Sequence, residues 1–365
     1  MEKILPPLPA RDLAHAWDNY QPTALIELPD LALLSDVGHV FIKAEWERPL
    51  GNFKSLGGMT AGLRALARHA GAGSIQELIA SNPGRGALPR LVCASDGNHG
   101  LAVTAAAARV GARATIYLPG SAGAARADRI KMLGGEVHWV SGTYDDAVFE
   151  AADAAKRGLG LLIPDTSSEL DSRAVQDVMA GYGLMTDEIV SHFHQRDDPR
   201  PTHMFIQAGV GGLAAAMAEG LKDLMQAPNR LVVVEPESAA CVSQALLAGA
   251  PVRIAGDLHT CAEMLACGMA SAPALDVLLR HDAGSVVIGE NQLRAAVDRL
   301  WASHGIGTTA SGAAGVAGFL HVASQPGLRR LHQLTGASIV LLVITEGPAT
   351  ASPGHPTALH PPVLA

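Results

Sequence analysis

Short apolar segments alternate along most of the chain with longer segments in which apolar residues recur at helical spacing. The strand-like segments are rich in β-branched residues, as in HVFIKAE, RATIYLP, RLVVVEP and SIVLLVITEG. The helix-like segments are rich in alanine, and several end on glycine, the usual residue just beyond a helix, as in HGLAVTAAAARVG and YDDAVFEAADAAKRG. This alternation predicts an α/β fold in which helices cover both faces of parallel sheets.

The composition favours a globular enzyme with a small-molecule partner. The 365 residues are 48% hydrophobic and 17% charged, which suits one large or two medium domains with a substantial core. The formal net charge of -8, without a basic run, gives no electrostatic footprint for nucleic acid. No apolar run is long enough to span a bilayer, and the N-terminal residues lack the pattern of a secretory signal, so we expect a cytoplasmic protein that does not bind membranes.

The cysteines and histidines form no recognisable metal or disulfide pattern. The four cysteines, among them Cys241 and Cys267, contain no CxxC pair and are too few for a disulfide framework. The 15 histidines include no HExxH motif. We therefore predict no metal site, and we predict that Cys241 and Cys267 are buried thiols.

Four loops at the predicted carboxyl ends of strands carry the candidate chemistry, since ligands of open α/β sheets bind there. The first is GNFKSLGG, residues 51–58, in which Lys54 joins a strand-like to a helix-like segment. The neighbours of Lys54 are small or apolar, so they would desolvate its ammonium and favour the neutral amine that a Schiff-base lysine needs. A helix-start lysine with its head in water is the plain structural alternative.

The second loop is SDGNHG, residues 95–100, between the strand RLVCA and an alanine-rich helix. Ser95, Asp96 and Asn98 all belong to the residue types that cap helices, so a capped helix explains one of them. It does not explain why all three are crowded together with His99 and two glycines. Such a loop offers a carboxylate base, an amide donor and free backbone N–H groups to a ligand.

The third and fourth loops suit an anion and a ring. QAGVGGL is a glycine-rich turn between a strand and a helix, where backbone N–H groups bind anions. The predicted phosphate-binding residues are Gly209, Val210, Gly211, Gly212 and Leu213. VITEGPAT ends the last strand, and its Thr345 either faces a ring or makes a simple turn. A carbonyl for the lysine, a phosphate for the turn and a ring for the hydroxyl are all present in pyridoxal phosphate.

In this chain order, GNFKSLGG, SDGNHG, GVGGL and TEG resemble the tryptophan-synthase-β class of pyridoxal-phosphate enzymes, which is called fold type II. Within that class the lysine context NFKSLGG and the aspartate of SDGNHG are similar to those of the diaminopropionate ammonia-lyases. The resemblance runs from about Phe41 to Gly347 and includes GTYDDAV, PDTS and CAEMLACG.

The resemblance implies a role for each residue that faces the cofactor. Lys54 would form the internal aldimine with pyridoxal phosphate, and Asn98 would hydrogen-bond the phenolic oxygen. The turn from Gly209 to Leu213 would hold the phosphate. Thr345 would face the pyridine nitrogen.

On the substrate side, the resemblance implies that Asp96 is a second acid/base group and that Tyr144 and Asp165 lie close to the substrate. Ser95 and His99 are expected to contact the substrate with them. The chain departs from the family pattern in TSSELD, directly after Asp165, and in PAT, after TEG. Both departures fall near the expected substrate end.

The fold of the class implies two domains. The smaller would comprise residues 58–174, and the larger would be discontinuous and comprise 1–57 and 175–365. Enzymes of this class are commonly homodimers, so we also expect a homodimer.

Chemistry and resemblance together predict α,β-elimination of ammonia from 2,3-diaminopropionate, which gives pyruvate and ammonia. A hydroxyl cannot keep the pyridine nitrogen protonated as a carboxylate would, so prompt loss of a β-substituent is favoured over transamination. One alternative is a serine- or threonine-type or other hydroxy-amino-acid dehydratase, or a β-replacement enzyme, of the same fold. Another is a non-catalytic α/β protein that binds a nucleotide or effector through GVGGL, although it leaves Lys54 unexplained.

Overall fold

The computed structural model describes residues 16–17, 20–81, 88–95, 97–120 and 122–348, and the chain divides into two compact units. The first unit comprises Met1–Pro22 and Lys54–Glu188. The second comprises Thr23–Phe53 and Ile189–Ala365. Each unit has its own β-sheet.

The strands follow the apolar segments of the sequence. They are β1 (Leu25–Glu27), β2 (His39–Ala44), β3 (Leu91–Ala94), β4 (Ala114–Pro119), β5 (Glu136–Val140), β6 (Leu161–Leu162), β7 (His203–Gln207), β8 (Arg230–Pro236), β9 (Gly284–Ile288) and β10 (Ile339–Ile344).

The helices follow the alanine-rich segments. They are α1 (Pro29–Leu34), α2 (Lys54–Ala70), α3 (Ile75–Ser81), α4 (Asn98–Arg109), α5 (Ala124–Met132), α6 (Tyr144–Lys156), α7 (Arg173–Gln195), α8 (Gly212–Leu221), α9 (Cys241–Ala248), α10 (Ala272–Arg280), α11 (Glu290–His304), α12 (Ala310–Ser324) and α13 (Pro326–Leu331).

The first unit contains a four-stranded sheet in the order β5-β4-β3-β6. All of its neighbouring strands are parallel. Because β3 and β6 are neighbours, the loop after β3 and the segment after β6 leave the same edge of the sheet. Those two segments carry Ser95, His99 and Asp165.

The second unit contains a six-stranded sheet in the order β1-β2-β10-β7-β8-β9. All pairs are parallel except β1 with β2 at one edge. Its strands and α12 share one apolar core, in which Phe205 of β7 and Phe319 of α12 have ring centroids 5.5 Å apart. Since β7 and β10 are adjacent, the glycine-rich turn and Thr345 follow neighbouring strand ends. The predicted α/β fold with two parallel-sheet domains is confirmed.

Glycines allow α2 to approach two other helices of the first unit very closely. A Cβ on Gly58 would come 2.5 Å from Ala102 Cβ of α4. A Cβ on Gly181 of α7 would come 2.5 Å from Leu56 O. Separations under 3 Å are well inside van der Waals contact, so these positions have no room for any side chain. The start of α2, where Lys54 lies, is thereby fixed from two sides.

The units are divided at other residues than those expected. The divisions fall at 53/54 and 188/189, whereas the sequence predicted 57/58 and 174/175, and residues up to Pro22 group with the first unit. The first division coincides with the start of α2. The second falls within α7, because Gly181 and the residues around it pack against α2 and so belong to the first unit.

Among the described residues, no helix is both long and apolar enough to cross a membrane. Within the same ranges, no group of three or more histidine, cysteine, aspartate or glutamate side chains is arranged to hold a metal ion.

We expect Gly181→Ala to destabilise the protein by about 1–3 kcal/mol, because the added methyl overlaps the backbone of α2. The matched control is Gly183→Ala in the same helix, where a Cβ meets no atom within 4 Å. Alanine has the higher helix propensity, so the control should gain about 0.5–1 kcal/mol. Urea denaturation measures both free energies of unfolding, and equal values for the two variants would contradict the close α2–α7 contact.

Candidate active site

Lys54 is the first residue of α2, and it forms an ion pair with Asp165, which follows β6. Lys54 Nζ donates a hydrogen bond to Asp165 Oδ2 at 2.5 Å, and the two side chains are 22% and 12% exposed. Coulomb attraction grows as water is excluded, so this pair is stronger than a pair on the surface. Asp165 was predicted to lie near the substrate, which stays a prediction, and the structure shows it in contact with Lys54.

Tyr144, at the start of α6, is the second partner of Asp165. Its hydroxyl donates to Asp165 Oδ1 at 3.3 Å. Burial alone would raise the pKa of Asp165, but the Lys54 ammonium and the hydrogen bonds from Lys54 and Tyr144 hold that pKa well below its usual range. Asp165 is therefore a carboxylate throughout the neutral pH range. The structure thus brings together three residues that the sequence singled out separately.

His99, in the first turn of α4, is buried and neutral. Its Nε2 donates to the carbonyl oxygen of Ile163 at 2.8 Å, and a carbonyl can only accept, so Nε2 carries the proton. Nδ1 is therefore a lone-pair acceptor, and it is buried without a hydrogen-bond partner. Burial lowers the pKa of His99, which keeps the ring uncharged. The bond to Ile163 also joins α4 to the chain two residues before Asp165.

Tyr182 of α7 is a site residue that sequence reasoning missed. It is 2% exposed, and its hydroxyl hydrogen-bonds the side chain of Lys54. Its segment, MAGYGLM, has the period of an ordinary buried helix, so nothing in the pattern separates Tyr182 from core residues. The preceding Gly181 was the available signal, because it permits the close approach of α7 to α2.

The SDGNHG loop is partly described. Ser95 Oγ accepts hydrogen bonds from the backbone N–H groups of Gly97 at 2.9 Å and Gly100 at 2.8 Å, so this serine shapes the start of α4. Its predicted contact with substrate would have to use its own O–H. Asn98 is the first residue of α4. Asp96, the predicted second acid/base group, lies outside the described residues.

In the second unit, the predicted phosphate-binding turn joins β7 to α8. Gly211 adopts the left-handed region with φ 95°, and Gly212 begins α8. A Cβ on Gly209 would come 3.0 Å from Cys267 Sγ and 3.3 Å from Met264 O, so any larger residue there would be crowded. The first N–H groups of a helix have no partner within the helix, and they suit an anion.

Thr345 follows β10, and its hydroxyl is oriented by Gln207 at the end of β7. Gln207 Nε2 lies 3.1 Å from Thr345 Oγ1 and 2.9 Å from the carbonyl oxygen of Gly312. Since an amide nitrogen has no lone pair to offer, the threonine oxygen accepts and its own proton remains available to donate. Gln207 was not predicted, because it reads as one more residue of an apolar strand.

The segment before Lys54 is tied to the segment around Thr345. The backbone N–H of Phe53 donates to Thr345 O at 3.0 Å, and Gly347 N donates to Gly51 O at 3.0 Å. An isolated antiparallel bridge joins Asn52 to Glu346. All of these residues belong to the second unit, and Lys54 is the next residue in the chain.

Cys241 and Cys267 both lie beside the glycine-rich turn and are both thiols. Cys241 is buried, and its Sγ donates to Gly209 O at 3.3 Å. Burial, together with the neighbouring Cys267, raises the pKa of the Cys241 thiol. The prediction that both are buried is wrong for Cys267, which is partly exposed.

Lys43 is another lysine, and its pKa alone would suit a Schiff-base lysine. Burial lowers the pKa of Lys43 to about 7, so it is partly a neutral amine near physiological pH. However, Lys43 is 1% exposed within β2, and its Nζ donates to Thr23 O at 2.5 Å. An amine enclosed in this way cannot reach an aldehyde without unfolding its surroundings.

The donors in each unit suit the parts of pyridoxal phosphate that they were predicted to meet. In the second unit, the crowded glycine at 209 and the first N–H groups of α8 suit a phosphate, and the Thr345 hydroxyl keeps a proton for a ring nitrogen. In the first unit, Lys54 supplies a primary amine whose neighbours are polar oxygens. The residues present therefore fit the cofactor.

Comparison with known proteins gives the same family. The family model for pyridoxal-phosphate dependent enzymes matches residues 16–346. The diaminopropionate ammonia-lyase of Salmonella typhimurium is 31% identical over 350 residues, which cover 90% of this chain and 86% of that protein. That of Escherichia coli K12 is 32% identical over 263 residues, covering 71% of this chain and 66% of that protein. The biosynthetic L-threonine dehydratase of Pasteurella multocida is 31% identical over 237 residues, covering 64% and 40%.

Solved structures agree. The crystal structure of Escherichia coli diaminopropionate ammonia lyase in complex with D-serine matches with a TM-score of 0.84 at 29% identity, covering 93% of this chain and 88% of that chain. Maize serine racemase matches with a TM-score of 0.73 at 19% identity, covering 93% and 92%, a likeness that shows the fold alone. The predicted resemblance to the diaminopropionate ammonia-lyases and the predicted cofactor are confirmed. The chain therefore belongs to the pyridoxal-phosphate-dependent enzymes of fold type II, and its cofactor is pyridoxal phosphate.

Proposed function

We propose that this enzyme is an ammonia-lyase that eliminates ammonia from 2,3-diaminopropionate and yields pyruvate. The observation that carries the proposal is the ionised carboxylate of Asp165, held 2.5 Å from the Lys54 amine. The sequence similarity to two diaminopropionate ammonia-lyases supports it. The non-catalytic alternative is set aside, because the family is one of enzymes.

Pyridoxal phosphate, when bound, withdraws electrons from the Cα of an amino acid and so makes its Cα–H acidic. The chain's own residues must then supply a base, hold the substrate and assist the leaving group. We assign the base for the L-enantiomer to the amine of Lys54. Asp96 is proposed as the base for the D-enantiomer, because one lysine reaches only one face of a substrate bound in a common orientation.

Asp165 is proposed to select a substrate with a second amino group. With its amine engaged by the cofactor, Lys54 would not present a free ammonium to this carboxylate. A carboxylate that is only 12% exposed and lacks a cationic partner is unfavourable, because little water is present to replace the lost attraction. The β-ammonium of 2,3-diaminopropionate supplies the missing cation, whereas the hydroxyl of serine or threonine does not.

The same contact assists departure of the leaving group. A carboxylate beside an amine favours the protonated form of that amine. The Cβ–N bond of a protonated amine breaks with both electrons passing to nitrogen, so ammonia leaves without a further proton transfer. Tyr144 would hold Asp165 in place through Oδ1. His99 and Ser95 remain proposed substrate contacts, with the buried Nδ1 of His99 as the acceptor.

The cofactor contacts in the second unit are proposed from its donors. Backbone N–H groups from Gly209 to Leu213 would bind the phosphate, and Thr345 would donate to the pyridine nitrogen. A nitrogen that accepts a hydrogen bond is not protonated. This favours prompt elimination over reactions that need a longer-lived carbanion. The cofactor contact of Asn98, a homodimeric assembly and a cytoplasmic location also stay predictions.

We expect Asp165→Asn to lower kcat/KM for 2,3-diaminopropionate by about a hundredfold more than kcat/KM for serine, because the amide keeps the shape and removes the charge. Pyruvate release from both substrates measures the ratio. Tyr144→Phe is the matched control, since it removes the longer 3.3 Å contact and leaves the carboxylate.

An equal loss on both substrates would mean that Asp165 acts on Lys54 and not on the substrate. Wild-type enzyme that releases a 2-oxo acid from serine or threonine faster than from 2,3-diaminopropionate would support the hydroxy-amino-acid dehydratase, which the similarity to an L-threonine dehydratase keeps as the second candidate.

We expect Thr345→Val to weaken binding of pyridoxal phosphate by about tenfold, because valine has the same shape without the donor. Thr345→Ser retains the hydroxyl and should bind normally. Absorbance titration of the apoenzyme with pyridoxal phosphate gives both dissociation constants. Binding by the valine variant that matches the serine variant would show that the hydroxyl makes only its contact with Gln207.

A further inference from the structure

Tyr182 is a buried tyrosine that the chemistry proposed above does not use. Its ring lies over Gly57, three residues after Lys54 on α2. A Cβ on Gly57 would come 2.6 Å from Tyr182 Cε1 and 2.8 Å from Tyr182 Cζ. Positions three apart on a helix share a face, so the ring lies on the same side of α2 as the lysine.

This placement depends on the neighbouring Gly181. Because Gly181 has no side chain, the backbone of α7 can lie directly against α2. A Cβ on Gly181 would come 2.5 Å from Leu56 O and 2.8 Å from the Cα of Gly57. With α7 so close, the Tyr182 hydroxyl reaches the side chain of Lys54. Among the described residues, the oxygen partners of the lysine amine therefore include the carboxylate of Asp165 and this phenol.

The phenol remains protonated. Burial raises the pKa of Tyr182 to about 12, so at neutral pH its hydroxyl can donate to a neutral amine or accept from an ammonium. Asp165, as an ionised carboxylate, can only accept. Tyr182 is thus a partner able to hold the amine in both of its protonation states.

We propose that Tyr182 is a positioning residue for Lys54, which holds the amine nitrogen in the direction needed to attack the cofactor aldehyde and, later, to meet the substrate Cα–H. The proposal rests on the function proposed above for the Cα–H step, but not for the bond to the cofactor. In that bond-forming step the amine nitrogen adds to the aldehyde carbon, and the aldehyde oxygen leaves as water.

The test uses the full-length apoenzyme and pyridoxal phosphate. Absorbance follows covalent bond formation between the enzyme and the cofactor. The first-order rate constant is extrapolated to saturating cofactor, so that a change in the affinity for the phosphate does not affect it. We expect Tyr182→Phe to lower this rate constant by about tenfold, as for loss of one hydrogen bond to a reacting group. Tyr117→Phe is the control, since Tyr117 is a buried tyrosine of the same unit whose ring packs on His138 at 4.8 Å.

A second pair of variants moves the hydroxyl instead of deleting it. Gly57→Ala places a methyl 2.6 Å from the Tyr182 ring, so the ring must shift, and the rate constant should fall in the same direction. Gly183→Ala adds a methyl in open space beside Tyr182 and should react as wild type. This pair decides the question if the phenylalanine variant fails to fold.

Wild-type rate constants in both Tyr182→Phe and Gly57→Ala, or an equal loss in Tyr117→Phe, would overturn the proposal. Pyruvate release from 2,3-diaminopropionate is measured in parallel. If bond formation slows in the two variants but wild-type enzyme does not act on this substrate, the proposed function fails and the positioning role of Tyr182 stands. If the substrate is turned over and bond formation is unchanged, the reverse holds.

Discussion

The ion pair between Lys54 and Asp165 is the interaction on which the chemistry proposed for the first unit depends. An amine that is to act as nucleophile and base must be shielded from most water yet remain within reach, and Lys54 is 22% exposed beside a carboxylate. Lys43 shows the opposite case, since burial lowers its pKa to about 7 but encloses it in a strand. Accessibility, more than pKa, therefore favours Lys54 over Lys43 as the proposed Schiff-base lysine.

Close helix packing makes this pair possible. Gly58 brings α2 against α4, and Gly181 brings α7 against α2, each at a separation that no side chain would permit. Lys54 is consequently held at a helix start that cannot shift, with Tyr182 on the same side. His99 fixes the chain before Asp165 through Ile163 O. In the second unit, Gln207 orients the hydroxyl of Thr345 by donating a hydrogen bond to its oxygen.

The sequence was sufficient to predict those features that are local in the chain. The alternation of strands and helices, the lysine at a helix start and the glycine-rich turn are each visible within about ten residues. The contact of Lys54 with Asp165 spans 111 positions, and that of Gln207 with Thr345 spans 138, so no local pattern contains them. Tyr182 was missed for the same reason, and the boundary at 188/189 depends on packing between helices that are distant in the chain.

The role proposed for Lys54, as the amine that carries the cofactor, can be tested directly. The direct test is borohydride reduction of the enzyme with pyridoxal phosphate, followed by digestion and mass-spectrometric mapping of the pyridoxyl group. We expect the modification on the peptide that contains Lys54, and its loss in Lys54→Ala. A pyridoxyl group on Lys43, or on any other of the chain's lysines, would contradict it.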